Sequence, residues 1–205
     1  MWHVGIKRKR ALIELLEKHR YLRTSMIAQA IYPSRHQCQV SLKGLHDKKV
    51  VKRFRMDSRE DFIYHLESRS QKWQHWDLLN RFHFWYAAKV EVVLYEFEVP
   101  YGPGQADGFY VVRTRDGNRK FFLEVDTLTS GPFDKVALYN TAYAGYWKDQ
   151  WWADPLNSGL ISFPQIVIVT PRIDLVRGSL KDNTHDLVFK VFEQGNVNYP
   201  PLNFV

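Results

Sequence analysis

Three acidic residues with the spacing of a β-strand are the part of this sequence that points most directly to chemistry. Glu124 and Asp126 alternate with apolar residues in the segment 120–127, so they share one face of a strand. Asp107 opens the preceding strand, and pairing of the two strands would bring it close to Glu124. Carboxylates gathered at the ends of buried strands repel one another unless they are protonated or hold a cation. The pattern therefore predicts a Mg²⁺ or Mn²⁺ site of the kind that activates water for phosphodiester hydrolysis.

A structural interpretation of the same residues stays open beside the catalytic one. Glu124 and Asp126 can instead form a structural pair with the basic residues Arg113 or Lys120. Lys135 also has two interpretations, because it either reaches the acidic residues as a charge stabiliser or is an ordinary surface lysine. The chain has no P-loop, no dinucleotide fingerprint and no histidine spacing typical of a metal site.

The segments that surround the acidic residues predict an α/β body. A helix that is apolar on most sides, and therefore buried, is expected over 73–89. The body then continues with strands over 90–100, 106–113 and 120–127, a helix over 132–151, a buried strand over 165–170 and a helix or strand over 185–194. This order predicts a mixed sheet flanked by helices.

The first third of the chain predicts three helices followed by a hairpin. Helical spacing of apolar residues begins at Ala11 and ends at His19. Thr24 and Ser25 are expected to cap a second helix, and Ser34 a third that runs to about Asp47. Strands over 49–55 and 62–66, joined by a turn over 57–61, form the hairpin. This is the pattern of a winged helix-turn-helix.

The third predicted helix has two faces of different chemistry. Cys38, Leu42 and Leu45 form an apolar stripe, and polar side chains suited to a major groove lie opposite. The hairpin adds cations suited to phosphates. The residues predicted to bind double-stranded DNA are Arg35, His36, Gln39, Lys43, Lys49, Lys52, Arg53 and Arg55. A winged helix that binds protein instead is the alternative.

Charge is distributed unevenly along the 205 residues. Up to Lys72 there are 17 Lys and Arg against 7 Asp and Glu, and after it 12 against 15, within a total of +7. This asymmetry favours a polyanion-binding module joined to a body with another task. The polar segment 67–72 has no periodicity, so we expect domains at 1–68 and 69–205.

Several motifs together resemble a known family. They are Trp-x-x-x-Asp-Leu-x-Asn at 73–80, Ala-Asp-Gly at 106–108 and Phe-Phe-Leu-Glu-Val-Asp-Thr at 121–127. Placed after a winged helix, and with Lys135 and Tyr139 one turn apart, they are similar to the plasmid replication-relaxation family. The resemblance implies a body like the PD-(D/E)XK nucleases, and so an α+β protein with catalytic Asp107, Glu124, Asp126 and Lys135.

Two positions depart from the nuclease pattern. Ala106 lies where the superfamily usually has proline, and Asp126 lies where it usually has the catalytic lysine. Because a carboxylate cannot stabilise negative charge as that lysine does, two functions stay open. The first is a metal-dependent endonuclease of plasmid replication or mobilisation. The second is a non-catalytic replication or transcription regulator whose body serves homodimerisation or protein contacts.

The remaining features limit the class of protein. The single cysteine excludes an intramolecular disulfide and favours a reducing compartment. The basic start, MWHVGIKRKR, is not followed by the apolar stretch of a secretory signal. No apolar run approaches the roughly 20 residues of a membrane span. We therefore expect a cytoplasmic protein without a membrane partner.

Overall fold

The computed structural model describes residues 2–127, 133–154, 162–185 and 187–193. The chain is a mixed α+β protein that divides into two compact units between Trp85 and Tyr86. The described residues contain six α-helices: α1 (Trp2–His19), α2 (Thr24–Ile31), α3 (Arg35–Asp47), α4 (Trp73–Ala87), α5 (Lys135–Ala144) and α6 (Ile173–Ser179). None of these is long and apolar enough to cross a membrane.

The first unit combines its helices with a small antiparallel sheet. The strands are β1 (Leu22–Arg23), β2 (Lys52–Phe54) and β3 (Ile63–His65), in the order β1-β3-β2. The three helices and the hairpin expected from the sequence are confirmed, although α1 begins earlier than expected and β1 was not expected at all. Their apolar faces share one core: Leu12, Leu16, Leu22, Ile27, Cys38, Leu42, Val51 and Tyr64.

Helix α3 has the two faces that its periodicity predicts. The Ser34 hydroxyl accepts a hydrogen bond from Gln37 N at 3.3 Å and so caps the helix as expected. Cys38 and Leu42 are fully buried, and Leu45 is half-buried. The opposite face is exposed: Arg35, His36, Gln39, Val40 and Lys43.

The expected cap of α2 is wrong. Arg23 precedes the first residue of that helix, and its side chain makes no capping hydrogen bond. Instead, Ser25 N donates to Asp61 Oδ2 at 3.0 Å. A carboxylate from the end of the hairpin turn thus satisfies a backbone donor that a local side chain was expected to satisfy.

The second unit is built on a mixed sheet, as expected, and this sheet has five strands. Its strands are β4 (Glu91–Pro100), β5 (Gln105–Thr114), β6 (Gly117–Val125), β7 (Gln165–Thr170) and β8 (Phe189–Glu193), in that order across the sheet. Strands β4, β5 and β6 form an antiparallel meander, whereas β6, β7 and β8 are parallel. Strand β8 settles the open choice over 185–194 in favour of a strand.

One side of this sheet is covered by α5. Phe109, Phe122 and Ile166 of the sheet share a buried core with Val136 and Tyr139 of the helix. The helix expected over 132–151 is wrong in length, because α5 ends at Ala144, where Gly145 takes an extended conformation. Short 3₁₀ turns at Trp147–Asp149 and Trp151–Ala153 replace the rest, and position 132 lies outside the described residues. Helix α6 was not expected.

Candidate functional site

Asp107 and Glu124 lie on adjacent strands, as the sequence predicts. Gly108 of β5 pairs with Leu123 of β6 in an antiparallel register. Asp107 and Glu124 therefore lie opposite each other at the next position. Asp107 Oδ2 accepts a hydrogen bond from Val125 N at 2.7 Å, which holds this carboxylate at the edge of the pair. The Asp107 side chain is 17% exposed and the Glu124 side chain 1%. The buried carboxylate therefore lies beside one that solvent still reaches.

Lys135 is part of this cluster and not an ordinary surface lysine. It is the first residue of α5, and its Nζ forms an ion pair with Glu124 Oε2. The same Nζ lies 3.8 Å from Asp107 Oδ1 and donates to Gln105 O at 3.4 Å. Of the two interpretations left open by the sequence, the structure favours the lysine that reaches the acidic residues.

Tyr139 completes the surroundings of Glu124. It lies one turn after Lys135, which places both side chains on one face of α5. Its hydroxyl donates to Glu124 Oε1 at 2.5 Å, and its ring stacks on Tyr101 with the centroids 4.3 Å apart. Both Glu124 oxygens are thus engaged by α5.

The electrostatics of the cluster follow from this burial. Loss of solvent, together with the charge of Asp107, raises the pKa of Glu124 to about 8, although Lys135 and Tyr139 act in the opposite direction. Burial alone would lower the pKa of Lys135, but the Glu124 and Asp107 carboxylates outweigh it and raise that pKa. The pair is therefore a cation held firmly beside a carboxyl group that titrates near neutral pH.

Asp126 has other partners. Its Oδ2 accepts from Thr170 Oγ1 at 2.8 Å, and Arg172 binds both oxygens through Nη2 at 3.1 and 2.9 Å. Asp126 N donates to Val169 O at 2.8 Å. Asp126 therefore joins the ends of β6 and β7, two parallel strands.

Arg172 is a residue that sequence reasoning missed. A signal for it exists, since the carboxyl ends of parallel strands lie at one edge of a sheet, and Arg172 follows β7 as Asp126 follows β6. The sequence offered Arg113 or Lys120 as the cation of a structural pair, but the cations observed are Lys135 for Glu124 and Arg172 for Asp126. Arg113 pairs with Glu91 at 3.4 Å. The local sequence offered those partners, whereas the sheet brings in a more distant one.

The acidic residues predicted to bind a divalent metal are engaged by other side chains in this arrangement. Lys135 and Tyr139 engage Glu124, and Arg172 engages Asp126. Across the described ranges, no group of three or more His, Cys, Asp or Glu side chains is placed to hold a metal ion. Binding of Mg²⁺ or Mn²⁺ by Asp107, Glu124 and Asp126 stays a prediction, and it requires these contacts to be exchanged.

The basic surface of the first unit contains most of the other predicted residues. Lys43 pairs with Asp47 at 3.0 Å, and Arg35 pairs with Asp61. His36, Gln39, Lys49 and Lys52 are exposed. The Lys43–Asp47 pair is at the surface, where a salt bridge is readily exchanged for another anion, whereas the Asp61 side chain is only 12% exposed.

Two hairpin arginines share one aromatic ring. The guanidinium carbon of Arg53 lies 4.2 Å from the centroid of the Phe62 ring, and that of Arg55 lies 4.9 Å from it. Arg55 Nη1 also donates to Ser58 O at 3.1 Å. Stacking on an aromatic face restricts a guanidinium group without using all of its hydrogen-bond donors.

The Trp-x-x-x-Asp-Leu-x-Asn motif is structural. Arg23 donates to both oxygens of Asp77, at 2.7 Å each. Asn80 Nδ2 donates to His19 O at 2.8 Å and Tyr21 O at 2.7 Å, so its Oδ1 is the acceptor for His19 Nδ1 at 2.6 Å. These contacts place most of α4 in the first unit, in contrast to the boundary expected between 68 and 69.

Comparison with protein-family models, with curated proteins and with solved structures found no match. The resemblance to the replication-relaxation family therefore stays a prediction.

Proposed function

We propose that this chain binds double-stranded DNA through a winged helix formed by α1, α2, α3 and the β2–β3 hairpin, as a protein of plasmid replication or mobilisation type. The observation that carries the proposal is that α3 has an exposed polar face opposite a fully buried stripe formed by Cys38 and Leu42. A helix held in this way can enter a major groove without disturbing its own core. The cytoplasm is the expected location.

The face of α3 offers groups that suit base edges. Gln39 provides both a donor and an acceptor, as the pattern of an adenine requires, and Arg35 suits guanine or phosphate. Asp47, the partner of Lys43, is an exposed carboxylate whose place a DNA phosphate would take. Asp61, the partner of Arg35, is only 12% exposed and also accepts from Ser25 N, so it orients an arginine whose own side chain is 61% exposed.

The hairpin offers groups that suit the phosphate backbone. Arg53 and Arg55 are held on Phe62, so fewer side-chain rotamers are lost when they bind an anion. Lys49 and Lys52 add exposed positive charge next to them along the chain. Contacts of this kind determine affinity and orientation rather than sequence preference.

The test is the salt dependence of binding to duplex DNA, measured by fluorescence anisotropy. Lys43→Ala and Arg53→Ala should each weaken binding and lower the slope of log K against log salt by about one. Lys181→Ala, an exposed lysine of the second unit, is the matched control and should leave the slope unchanged. If both variants bind as tightly as the parent, DNA binding by this surface is wrong.

Divalent-metal-dependent DNA cleavage is the second candidate, with a PD-(D/E)XK-like second unit. The observation that favours it is the grouping of Asp107, Glu124 and Lys135 at adjoining strands and a helix end. The alternative is a second unit that serves homodimerisation or protein contacts without catalysis.

Nicking of supercoiled plasmid in Mg²⁺ or Mn²⁺ separates these alternatives. Cleavage by the parent that is lost in Asp107→Ala and Glu124→Ala, with DNA affinity kept, would support the nuclease. Asp116→Ala, an exposed carboxylate in the β5–β6 turn, is the control. Cleavage that survives Glu124→Ala would come from a contaminant or another site, and would exclude this one.

A further inference from the structure

The atoms around Lys135 Nζ are of the same type as the protein ligands of a metal ion. Among the described residues, three oxygens lie near it: Oε2 of Glu124, Oδ1 of Asp107 at 3.8 Å and the main-chain oxygen of Gln105 at 3.4 Å. Two carboxylates and a backbone carbonyl are a donor set typical of hard cations. In the described structure, the cation at their point of convergence is an ammonium group.

The position of Lys135 in its helix is unfavourable by itself. The N-terminus of a helix carries a partial positive charge, so a cation in the first turn is normally destabilised. Lys135 is the first residue of α5, and no acidic residue lies in that turn. Its side chain is nevertheless only 29% exposed, directed to Glu124 and Asp107. Attraction to the two carboxylates therefore outweighs both the helix dipole and the loss of solvent.

The remaining oxygens of the cluster are also engaged. Tyr139 donates to Glu124 Oε1, and Val125 N donates to Asp107 Oδ2. The third predicted ligand, Asp126, is bound by Arg172 on both oxygens. An incoming divalent ion would have to displace Lys135 to reach the buried carboxylate.

We propose that the Lys135 ammonium is the resident cation of this site and excludes divalent metal ions from Asp107 and Glu124. Removing the ammonium takes away the cation that lies against both carboxyl groups, one of them buried, which is unfavourable unless a proton or another cation replaces it. A divalent ion can then take the vacated position. Metal-dependent cleavage by the parent protein would require Lys135 to leave the cluster first.

Titration of Mn²⁺ alone into the full chain by calorimetry tests this exclusion. The parent should show no saturable binding, whereas Lys135→Ala should bind with a Kd at least about tenfold tighter than any binding by the parent, a difference of ~1.4 kcal/mol. Lys135→Ala/Glu124→Gln is the matched control, in which binding should disappear. Lys135→Met keeps the aliphatic stem of the side chain and should behave like Lys135→Ala.

Thermal unfolding keeps the test decisive if the variants are unstable. Mn²⁺ should raise the Tm of Lys135→Ala and Lys135→Met but not that of the parent, because binding to the folded state stabilises it. Saturable binding by the parent that is lost in Glu124→Gln would overturn the proposal. The proposal would also be overturned if Lys135→Ala and Lys135→Met neither bind Mn²⁺ nor are stabilised by it. This includes the case in which both variants remain unfolded in the presence of Mn²⁺. DNA binding is measured separately and does not enter these outcomes.

Discussion

Two buried carboxylates, Asp77 in the first unit and Glu124 in the second, belong to the two most informative motifs but are held in different ways. Asp77 receives two parallel hydrogen bonds from the Arg23 guanidinium, at 2.7 Å each. Glu124 receives the single ammonium of Lys135 on one oxygen and the Tyr139 hydroxyl on the other. Both are less than one tenth exposed.

The difference lies in how exchangeable each partner is. A guanidinium group matches a carboxylate in shape and is always charged, so the Asp77 pair is both oriented and permanent. The hydrogen bonds from Arg23 to Asp77 are also the main cause that raises the pKa of Arg23. An ammonium is a point charge without preferred orientation, and burial raises the pKa of Glu124 to about 8. The first pair stabilises a fold, whereas the second can exchange a proton or a cation.

The largest effect is expected from Asp77→Ala. It leaves the Arg23 guanidinium, only 19% exposed, without its main counter-charge, and loss of one partner of a buried pair costs about 3–5 kcal/mol. Asp47→Ala removes an exposed pair with Lys43 and should leave the free energy of unfolding nearly unchanged. The free energy of unfolding in urea measures both. Equal effects for the two variants would remove the distinction drawn for Asp77.

The next largest effect is expected from acid, which should lower the stability of the first unit. Burial lowers the pKa of His19 to about 4 and that of His83 to about 3. In the unfolded chain both titrate near 6.5, so that state binds more protons below this pH and stability falls from about pH 6.5 downwards. For His19 the loss reaches roughly 3 kcal/mol near pH 4. Urea unfolding of the parent and of His83→Phe measures it, and the variant should lose less than the parent.

The second unit should respond to pH in the opposite direction at Glu124. Because its folded pKa is raised from 4.5 to about 8, the folded state holds the proton more tightly, and stability falls as pH rises through this range. Glu124→Gln keeps the shape of the side chain and removes the titratable group, and its one amide oxygen can still accept from Lys135 or from Tyr139. The parent should lose about 3.5 kcal/mol relative to this variant between about pH 5 and about pH 8, at up to ~1.4 kcal/mol per pH unit.

The control for that comparison is Glu91→Gln, which removes a surface ion pair with Arg113. Its stability should run nearly parallel to that of the parent in the same pH range. A difference between parent and Glu124→Gln that does not change with pH would show that burial does not perturb this carboxyl group.

Among the changes to the two buried pairs, the smallest effect is expected from Arg23→Lys. The ammonium keeps the charge opposite Asp77 but loses one of the two parallel hydrogen bonds, which we expect to cost about 1 kcal/mol. Urea unfolding measures it beside Asp77→Ala. A loss as large as that of Asp77→Ala would mean that geometry, and not charge, dominates this pair.

Much of the local structure could be predicted from periodicity. The stripe of Cys38 and Leu42 predicts the buried face of α3, and the alternation in 120–127 predicts β6 with Glu124 and Asp126 on one face. The convergence of Asp107 on Glu124 also follows, because β5 and β6 are joined by a short turn. The cap of α2 could not be predicted, since its acceptor, Asp61, comes from the end of the hairpin turn.

The sequence by itself determined which faces are apolar, which acidic residues share a strand and where positive charge accumulates, because these depend on neighbours a few residues apart. Only the tertiary structure decided the partner of each charge. Lys135 lies 11 residues from Glu124, Arg172 lies 46 from Asp126, and Asp77 lies 54 from Arg23. A buried carboxylate requires a counter-charge in space, and chain folding selects which cation meets that requirement.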